Sequence, residues 1–292
     1  MYNTWTKFKL TRVAPTPSGY LHLGNALSFV LTAAIAKNTD SAILLRIDDL
    51  DRERVDDAYI NDIFYTLDFL DIPWQLGPRN VLDLRNKWSQ MSRLAIYQPA
   101  LDHLAENKLV YACSCSRKQL QTPGYTCHCA ELNLPLDTTN VAWRLITNNK
   151  PLKINTLLNG QVEINLTPEM KNFIVRKKDG YPAYQLSSLV DDVHFGVDLI
   201  IRGEDLWAST VAQHFLAKML NMQPFSNATF HHHQLLTVDG VDKLSKSAGA
   251  TSIQYMRSHG STAQDVYFEI GTALGLTKPT FSLADISNNL LL

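Results

Sequence analysis

The sequence predicts an α/β protein built on a doubly wound parallel sheet, with a small cysteine-bearing insertion and a short helical C-terminal extension. Three observations carry that expectation. Strand-like and helix-like stretches alternate on both sides of the middle of the chain, as in βαβ units. All four cysteines fall between Cys113 and Cys129, inside a stretch enriched in Asn, Thr, Gln and Pro. The residues from Thr251 onward read as helix.

Taken in order, "KFKLTRVAP" is a short strand. Behind it Ala26, Leu27, Val30, Leu31 and Ala34 recur at helical spacing from Leu23 to Lys37. "SAILLRID" reads as a buried strand, and Ile60, Ile63, Phe64, Leu67 and Leu70 mark a second helix. A polar helix is expected from Trp88 to Leu109, started or interrupted by Pro99. The composition then shifts from Tyr111 to about Asn165. Strand character resumes at "FIVRKKDGYPAYQL" and "VDLIIRGEDL", and "STVAQHFLAKML" is amphipathic and helical. No internal repeat or low-complexity tract interrupts this order. The expected division is therefore 1–110 and 166–240 as two halves of one nucleotide-binding domain, 111–165 as the insertion, and 241–292 as a loop plus helical extension.

Composition excludes several classes. With 45% hydrophobic residues in 292, the chain is neither disordered nor built for a membrane. No run approaches the ~20 apolar residues of a spanning helix. "MYNTWTKFKL" lacks the apolar core and cleavage site of a secretory signal, so a cytoplasmic protein with no membrane partner is expected. The formal net charge of −1 gives no global signature of nucleic-acid binding. A local stripe such as Arg117–Lys118 or Arg176–Lys178 is enough for phosphate contacts, although each alone is ordinary surface charge.

Two motifs carry chemistry. In "RVAPTPSGYLHLGNAL", Pro15 and Pro17 stiffen a turn, and Gly19 lets backbone approach a ligand. The helix that follows points its free N–H groups at whatever lies above the sheet, a favourable place for an anion. His22, Gly24 and Asn25 stand at that helix start. The second motif is "KLSKS", Lys243 to Ser247, where Lys246 is suited to neutralise charge on a departing pyrophosphate. Each is a common surface pattern when taken singly. His231, His232 and His233 lead into a strand; consecutive strand residues face opposite ways and chelate poorly.

The cysteines, "YACSCSRKQLQTPGYTCHCAEL", form two C-x-C pairs eleven residues apart. In a cytosolic chain this clustering argues for metal rather than disulfides. Cys113, Cys115, Cys127 and Cys129 offer four soft ligands to one tetrahedral, structural Zn2+; the plain alternative is free buried thiols.

Together, the histidine-bearing helix start and the later lysine loop resemble the paired signature of class I aminoacyl-tRNA synthetases, which bind ATP on a Rossmann-like sheet. "RVAPTPSGYLHLGN", "LLRIDDLDRER", "YPAYQLSSLVDD", "GVDLIIRGEDLWAST" and "KLSKS" resemble the glutamate branch. That resemblance implies a ligase acting on ATP, L-glutamate and tRNA, with Mg2+ accompanying ATP and no obligatory protein partner. It implies that Arg12 and Arg202 clamp the glutamate carboxylate and that Tyr184 bonds the same substrate. Ala14 and Thr16 line the pocket. Asp48 stands where the family's RIEDTD run has Glu for the α-amino group, one methylene shorter. Thr16, His22, Gly24, Asn25, Asp205 and Lys246 would face ATP, with His22, Lys243 and Lys246 as the catalytic groups. Short relatives in this branch bind zinc through Tyr-x-x-x-Cys, which makes Tyr125 the alternative to Cys127.

Only residues 248–292 follow the lysine loop, too few for the helical anticodon-binding region of a full glutamyl enzyme. The resemblance is therefore to the short branch, which transfers activated glutamate to queuosine at the wobble position of tRNA(Asp). A truncated enzyme charging the 3′ end of tRNA(Glu) is the next expectation. A small-molecule nucleotidyltransferase and a non-catalytic RNA-binding module follow.

Overall fold

The computed structural model describes residues 6–238, 242–243 and 252–290. In chain order the elements are β1 (Leu10–Val13), α1 (Leu23–Thr39), β2 (Ala42–Leu45), α2 (Asp57–Phe69), α3 (Val81–Asp83), α4 (Leu94–Glu106), β3 (Val110–Cys113), α5 (Arg117–Leu120), β4 (Ala142–Leu145), β5 (Leu152–Thr156), β6 (Gly160–Ile164), β7 (Ile174–Arg176), α6 (Tyr184–Phe195), β8 (Leu199–Gly203), α7 (Trp207–Met219), α8 (Gln223–Asn227), β9 (Thr229–His233), β10 (Thr237–Val238), β11 (Asp242–Lys243), α9 (Ile253–Ser258), α10 (Ala263–Ala273) and α11 (Leu283–Asn289). They fall into two compact units. One comprises 1–92, 197–205 and 229–292; the other comprises 93–196 and 206–228.

In the first unit β1 pairs in parallel with β2, placing Arg12 opposite Leu44. The pairing continues past the strands, since Arg46 N–H donates to Val13 O and Asp48 N–H to Pro15 O, both at 2.9 Å. β8 pairs in parallel with β9 and sets Arg202 opposite His232. β1 also runs beside β8: Asp198 N–H donates to Leu10 O at 3.0 Å, and Arg12 reaches the Ile201 carbonyl. Residues 10 and 12 thus meet 198 and 201 in the same order, as parallel chains do. β1 leads outward to β2 on one side while β8 leads to β9 on the other. That reversal of winding direction is the switch point where α/β sheets bind ligands.

The connection from β1 to β2 is α1, whose buried residues surround most of its circumference, from Ala26 and Leu27 to Ala36 and Thr39. An all-round apolar helix is a core helix. It stops at Asp40, whose left-handed φ of 57° closes the last turn. α11 returns to cover it, with Asn38 and Ser287 sharing hydrogen bonds of 2.7 and 2.9 Å. Gly77 is required by geometry: φ is +108°, and an added Cβ would lie 2.1 Å from the Leu45 carbonyl.

The second unit is antiparallel in its strands. β3, β4 and β7 form one sheet in that order, and β5 pairs with β6 as a hairpin. Its helices enclose a charge: Arg93 forks onto Asp191 through two bonds of 2.9 Å, and Tyr97 Oη donates to the same carboxylate at 2.9 Å. Burial drives the Tyr97 phenol well above its usual range.

Several expectations are corrected here. The helix expected from Trp88 to Leu109 is α4, Leu94–Glu106, with Pro99 inside it neither starting nor interrupting it, and its expected first residues are instead the end of a π-turn and a 3-10 turn over Gln90–Arg93. "FIVRKKDGYPAYQL" is strand only over Ile174–Arg176. Gly180, at φ +91°, turns the chain, and Tyr184 begins α6. His231–His233 do not lead into a strand; they are the last three residues of β9. Among the described residues no helix is long and apolar enough to cross a membrane.

Candidate functional site

The C-terminal ends of β1 and β8 supply Ala14, Thr16, Arg202, Gly203 and Asp205, and α1 begins above them. Pro15 and Pro17 are buried on either side of exposed Thr16, and Ser18 N–H closes a tight turn onto Thr16 O at 2.9 Å. His22 is the N-cap of α1, with extended backbone, and its N–H donates to Asn25 Oδ1 at 3.0 Å. Asn25 is thereby fixed at the first turn. The Gly24 residue makes room for the imidazole: a Cβ there would stand 3.0 Å from His22 Cε1 and 3.1 Å from Nδ1. The HLG spacing is thus steric as well as electrostatic.

Arg12 and Arg202 are buried, at 5% and 3% exposure. The Arg202 guanidinium lies over the Phe230 ring, 5.6 Å from its centroid, and His232 stacks on that ring at 9°. His232 registers the field of these cations. Burial first, then Arg202, the flanking histidines and Arg12, lower its pKa to about 3. His231 is lowered to about 4 by burial and by His233. Two charged forks beside neutral imidazoles form a positive, weakly hydrated place suited to a carboxylate.

Asp48 is also buried, and Arg46 grips it through Nε at 2.7 Å and Nη2 at 3.1 Å. The next residue, Asp49, accepts from Ser89 Oγ at 2.6 Å and Gln90 N–H at 2.7 Å, which ties the segment down. His233 bonds Ser28 of α1 at 2.7 Å through Nε2 and the Gln234 carbonyl at 2.8 Å through Nδ1. A carbonyl only accepts, so the neutral ring carries its proton on Nδ1 and takes the Ser28 hydroxyl proton at Nε2. Burial keeps this ring below its ordinary pKa. Gly203 permits exposed Asp205 to fold back: a Cβ there would lie 2.6 Å from its Oδ1.

In the second unit the four cysteine sulfurs lie within 4.8 Å of one another. Cys115 is 3.5 Å from both Cys127 and Cys129, and Cys113 is 3.8 Å from Cys127. A tetrahedral ion about 2.3 Å from each sulfur sets its ligands about 3.8 Å apart, so the donor set fits zinc. Thiols this close share charge unevenly. Burial lifts Cys127 to about 12; for Cys129 burial is outweighed by the Ser114 backbone and the neighbouring thiols, which bring it to about 6. A divalent cation removes that conflict. Tyr125 is 42% exposed, and its hydroxyl meets Cys115 at 3.1 Å. That bond raises the phenol to about 12.

Residues 10–128 and 139–279 match the family described as "tRNA synthetases class I (E and Q), catalytic domain". The chain belongs to this family. It is 31% identical over 268 residues to "Glutamate--tRNA ligase 2" of Nitrosococcus oceani, matching 86% of this chain and 56% of that one. It therefore spans little more than half of that ligase. It is 33% identical over 244 residues to "Glutamyl-Q tRNA(Asp) synthetase" of Methylococcus capsulatus, matching 83% of this chain and 77% of that one. The crystal structure of a glutamate-tRNA synthetase from Elizabethkingia anophelis shares the fold, with a TM-score of 0.78 at 19% identity, over 98% of this chain and 66% of that one.

Within this class I catalytic domain, Arg12, Ala14, Thr16, His22, Gly24, Asn25, Asp48, Arg202 and Asp205 belong to the first unit. Tyr184 opens α6 in the second unit and is 41% exposed. Lys243 ends β11, which pairs with β10, and Lys246 lies outside the described residues. Of the candidate basic stripe, Arg176 stacks on Trp143, Lys177 pairs with Asp179, and Lys178 caps the Ser114 carbonyl beside the cysteines. Sequence reasoning missed Arg46, Ser28 and Gly203, although Arg46 and Gly203 each lie inside a quoted motif; it named His233 only as one of three strand-entry histidines.

Proposed function

We propose that the protein activates L-glutamate with ATP and transfers it to queuosine in the anticodon loop of tRNA(Asp). The buried Arg12–Arg202 pair, strong enough to help hold His232 neutral, is the observation that carries the choice of an acidic amino acid. The 33% identity to a protein named for glutamyl-Q tRNA(Asp) supports the acceptor.

In the first step a glutamate α-carboxylate oxygen bonds to the α-phosphorus of ATP. The bond from that phosphorus to the bridging oxygen breaks, and pyrophosphate leaves. No side-chain nucleophile is required; positioning and charge stabilisation supply the rate. Arg12 and Arg202 hold the substrate side-chain carboxylate. Asp48, held by Arg46 through two hydrogen bonds, receives the α-amino group, and Ala14, Thr16 and Tyr184 bind the amino acid. His22, Gly24 and Asn25 present the α1 N-terminus to the phosphates, and Asp205 contacts the nucleotide. Lys243 and Lys246 neutralise the leaving charge. Mg2+, when bound with ATP, would shield the phosphates from one another. In the second step an RNA hydroxyl attacks the acyl carbon, AMP departs and an ester forms. Cys113, Cys115, Cys127 and Cys129 would hold a zinc ion that serves the fold rather than the reaction.

The likeness to glutamate–tRNA ligases favours a second reading, charging of the tRNA(Glu) 3′ end. Incubation with ATP, labelled glutamate and bulk tRNA from cells with and without queuosine separates the two. Label confined to the queuosine-containing pool is the expected outcome. Equal label on both pools selects the second reading, and absence of label on either overturns both.

A further inference from the structure

One buried charge in the first unit takes no part in the chemistry above. Asp62 is 3% exposed in α2, on a helix whose apolar pattern runs through Ile60, Ile63, Phe64 and Leu67. A carboxylate removed from water needs charge partners and donors. Arg257 of α9 donates to Asp62 Oδ1 at 2.8 Å, while burial pushes the carboxyl above its ordinary pKa. Arg257 also lies over the rings of Tyr65 and Phe69, at 5.8 and 5.9 Å from their centroids.

Two segments here come from telling places in the sequence. Leu21 immediately precedes His22. Arg257 belongs to the first helix after 244–251, the stretch that carries Lys246. Their backbones meet: Ile253 N–H donates to Leu21 O at 2.8 Å, and His22 and Ser252 form an antiparallel bridge. Ser252 then caps α9 by accepting from Tyr255 N–H at 3.0 Å. A bridge this short is a weak restraint by itself. The Asp62–Arg257 pair anchors α9, and with it the Ser252–Ile253 side of that bridge.

We propose that Asp62 and Arg257 are positioning residues for adenylate formation. By holding α9 they keep Ser252–Ile253 clasped on Leu21–His22, and so fix where His22 and the α1 N-terminus stand. The inference rests on the proposed function, and neither side chain touches substrate. Displacing the helix start by a fraction of an ångström misplaces every phosphate contact it makes, which lowers turnover more than amino-acid binding.

The test compares Asp62→Asn, Arg257→Gln, their double variant and Arg257→Lys. It combines glutamate-dependent ATP–pyrophosphate exchange with amide hydrogen exchange over 19–28 and 252–258. Each neutralising single variant is expected to lower kcat about ten- to a hundredfold while KM for glutamate changes less than about twofold. The double variant should be no worse than the weaker single, as for coupled groups, and Arg257→Lys should recover most of the rate. Amides on both sides of the bridge should exchange faster. Should Asp62→Asn not fold, Arg257→Gln carries the comparison. Folded single variants with wild-type kcat and unchanged amide protection would overturn the clasp. So would a kcat loss that follows thermal stability while those amides stay protected. A wild-type protein without exchange activity would refute the proposed function instead, and the amide data would then decide the clasp alone.

Discussion

At the head of α1, groups drawn from Arg12, Asp48, Arg202 and His233 converge because a parallel sheet brings distant strand ends to one edge. At the cysteine cluster every thiol comes from 113–129, and the partners are chain neighbours. The first arrangement is held by burial and long-range hydrogen bonds, so each residue depends on many others. The second would depend on one cation held among the four thiols. Geometry distributed over a sheet keeps its fold when one side chain changes, and it responds to pH. Geometry centred on an ion collapses when the ion is lost.

The largest effect should come from breaking the local arrangement. Cys113→Ser is expected to abolish binding of about one zinc per chain, because structural zinc holds such segments by roughly 10 kcal/mol or more. Metal analysis with amide exchange over 111–132 measures it, and full zinc retention would count against the four-thiol set. Next in size, Arg202→Lys keeps the charge but loses the fork, and should raise KM for glutamate about ten- to a hundredfold with the fold intact. An unchanged KM would remove Arg202 from the amino-acid pocket.

A smaller effect sharpens the contrast. His231 and His232 are held at about 4 and about 3 in the folded state, below the ~6.5 of an unfolded chain. Between these values the unfolded state binds more protons, so stability should fall as pH drops from 6.5 toward 4, by up to about 1.4 kcal/mol per pH unit for each ring. Urea midpoints across that range test it, and His232→Gln should flatten the slope. An unaltered slope would mean another group titrates. Smallest of all, Tyr125→Phe should leave zinc content within about 10%, since four thiols already fill a tetrahedral site and the hydroxyl only meets Cys115 at 3.1 Å.

The same contrast explains what could be read from the sequence. The parallel α/β core was legible because Ala26, Leu27, Val30 and Leu31 keep a helical period and "AILL" keeps a buried-strand run. The cysteine cluster was legible because its spacing is local. Pairs such as Arg46 with Asp48 or Ser28 with His233 were not, since each lone residue looks like solvated polarity until the sheet closes. Asp62 is the clearest case. Its position and that of Thr66 lie off the apolar stripe of α2, yet both are buried. The helix has a second covered face that periodicity assigns to water. Local turns misled in a different way: β7 ends at Arg176, Gly180 turns the chain at φ +91°, and Tyr184 starts a helix inside a stretch read as strand.

The first unit is assembled from three separated stretches, 1–92, 197–205 and 229–292. During synthesis β1 and β2 leave the ribosome long before β8, the strand that lies along the other side of β1. At about 5–20 residues per second, that edge waits roughly 10–40 s for its neighbour. An unpaired parallel edge rich in Leu and Val is a template for the wrong partner. The nascent chain is therefore most vulnerable to aggregation in this interval, and a ribosome-associated chaperone has its greatest effect there. Slowing translation between residues 45 and 199 should lower the yield of folded protein more than the same delay after residue 233.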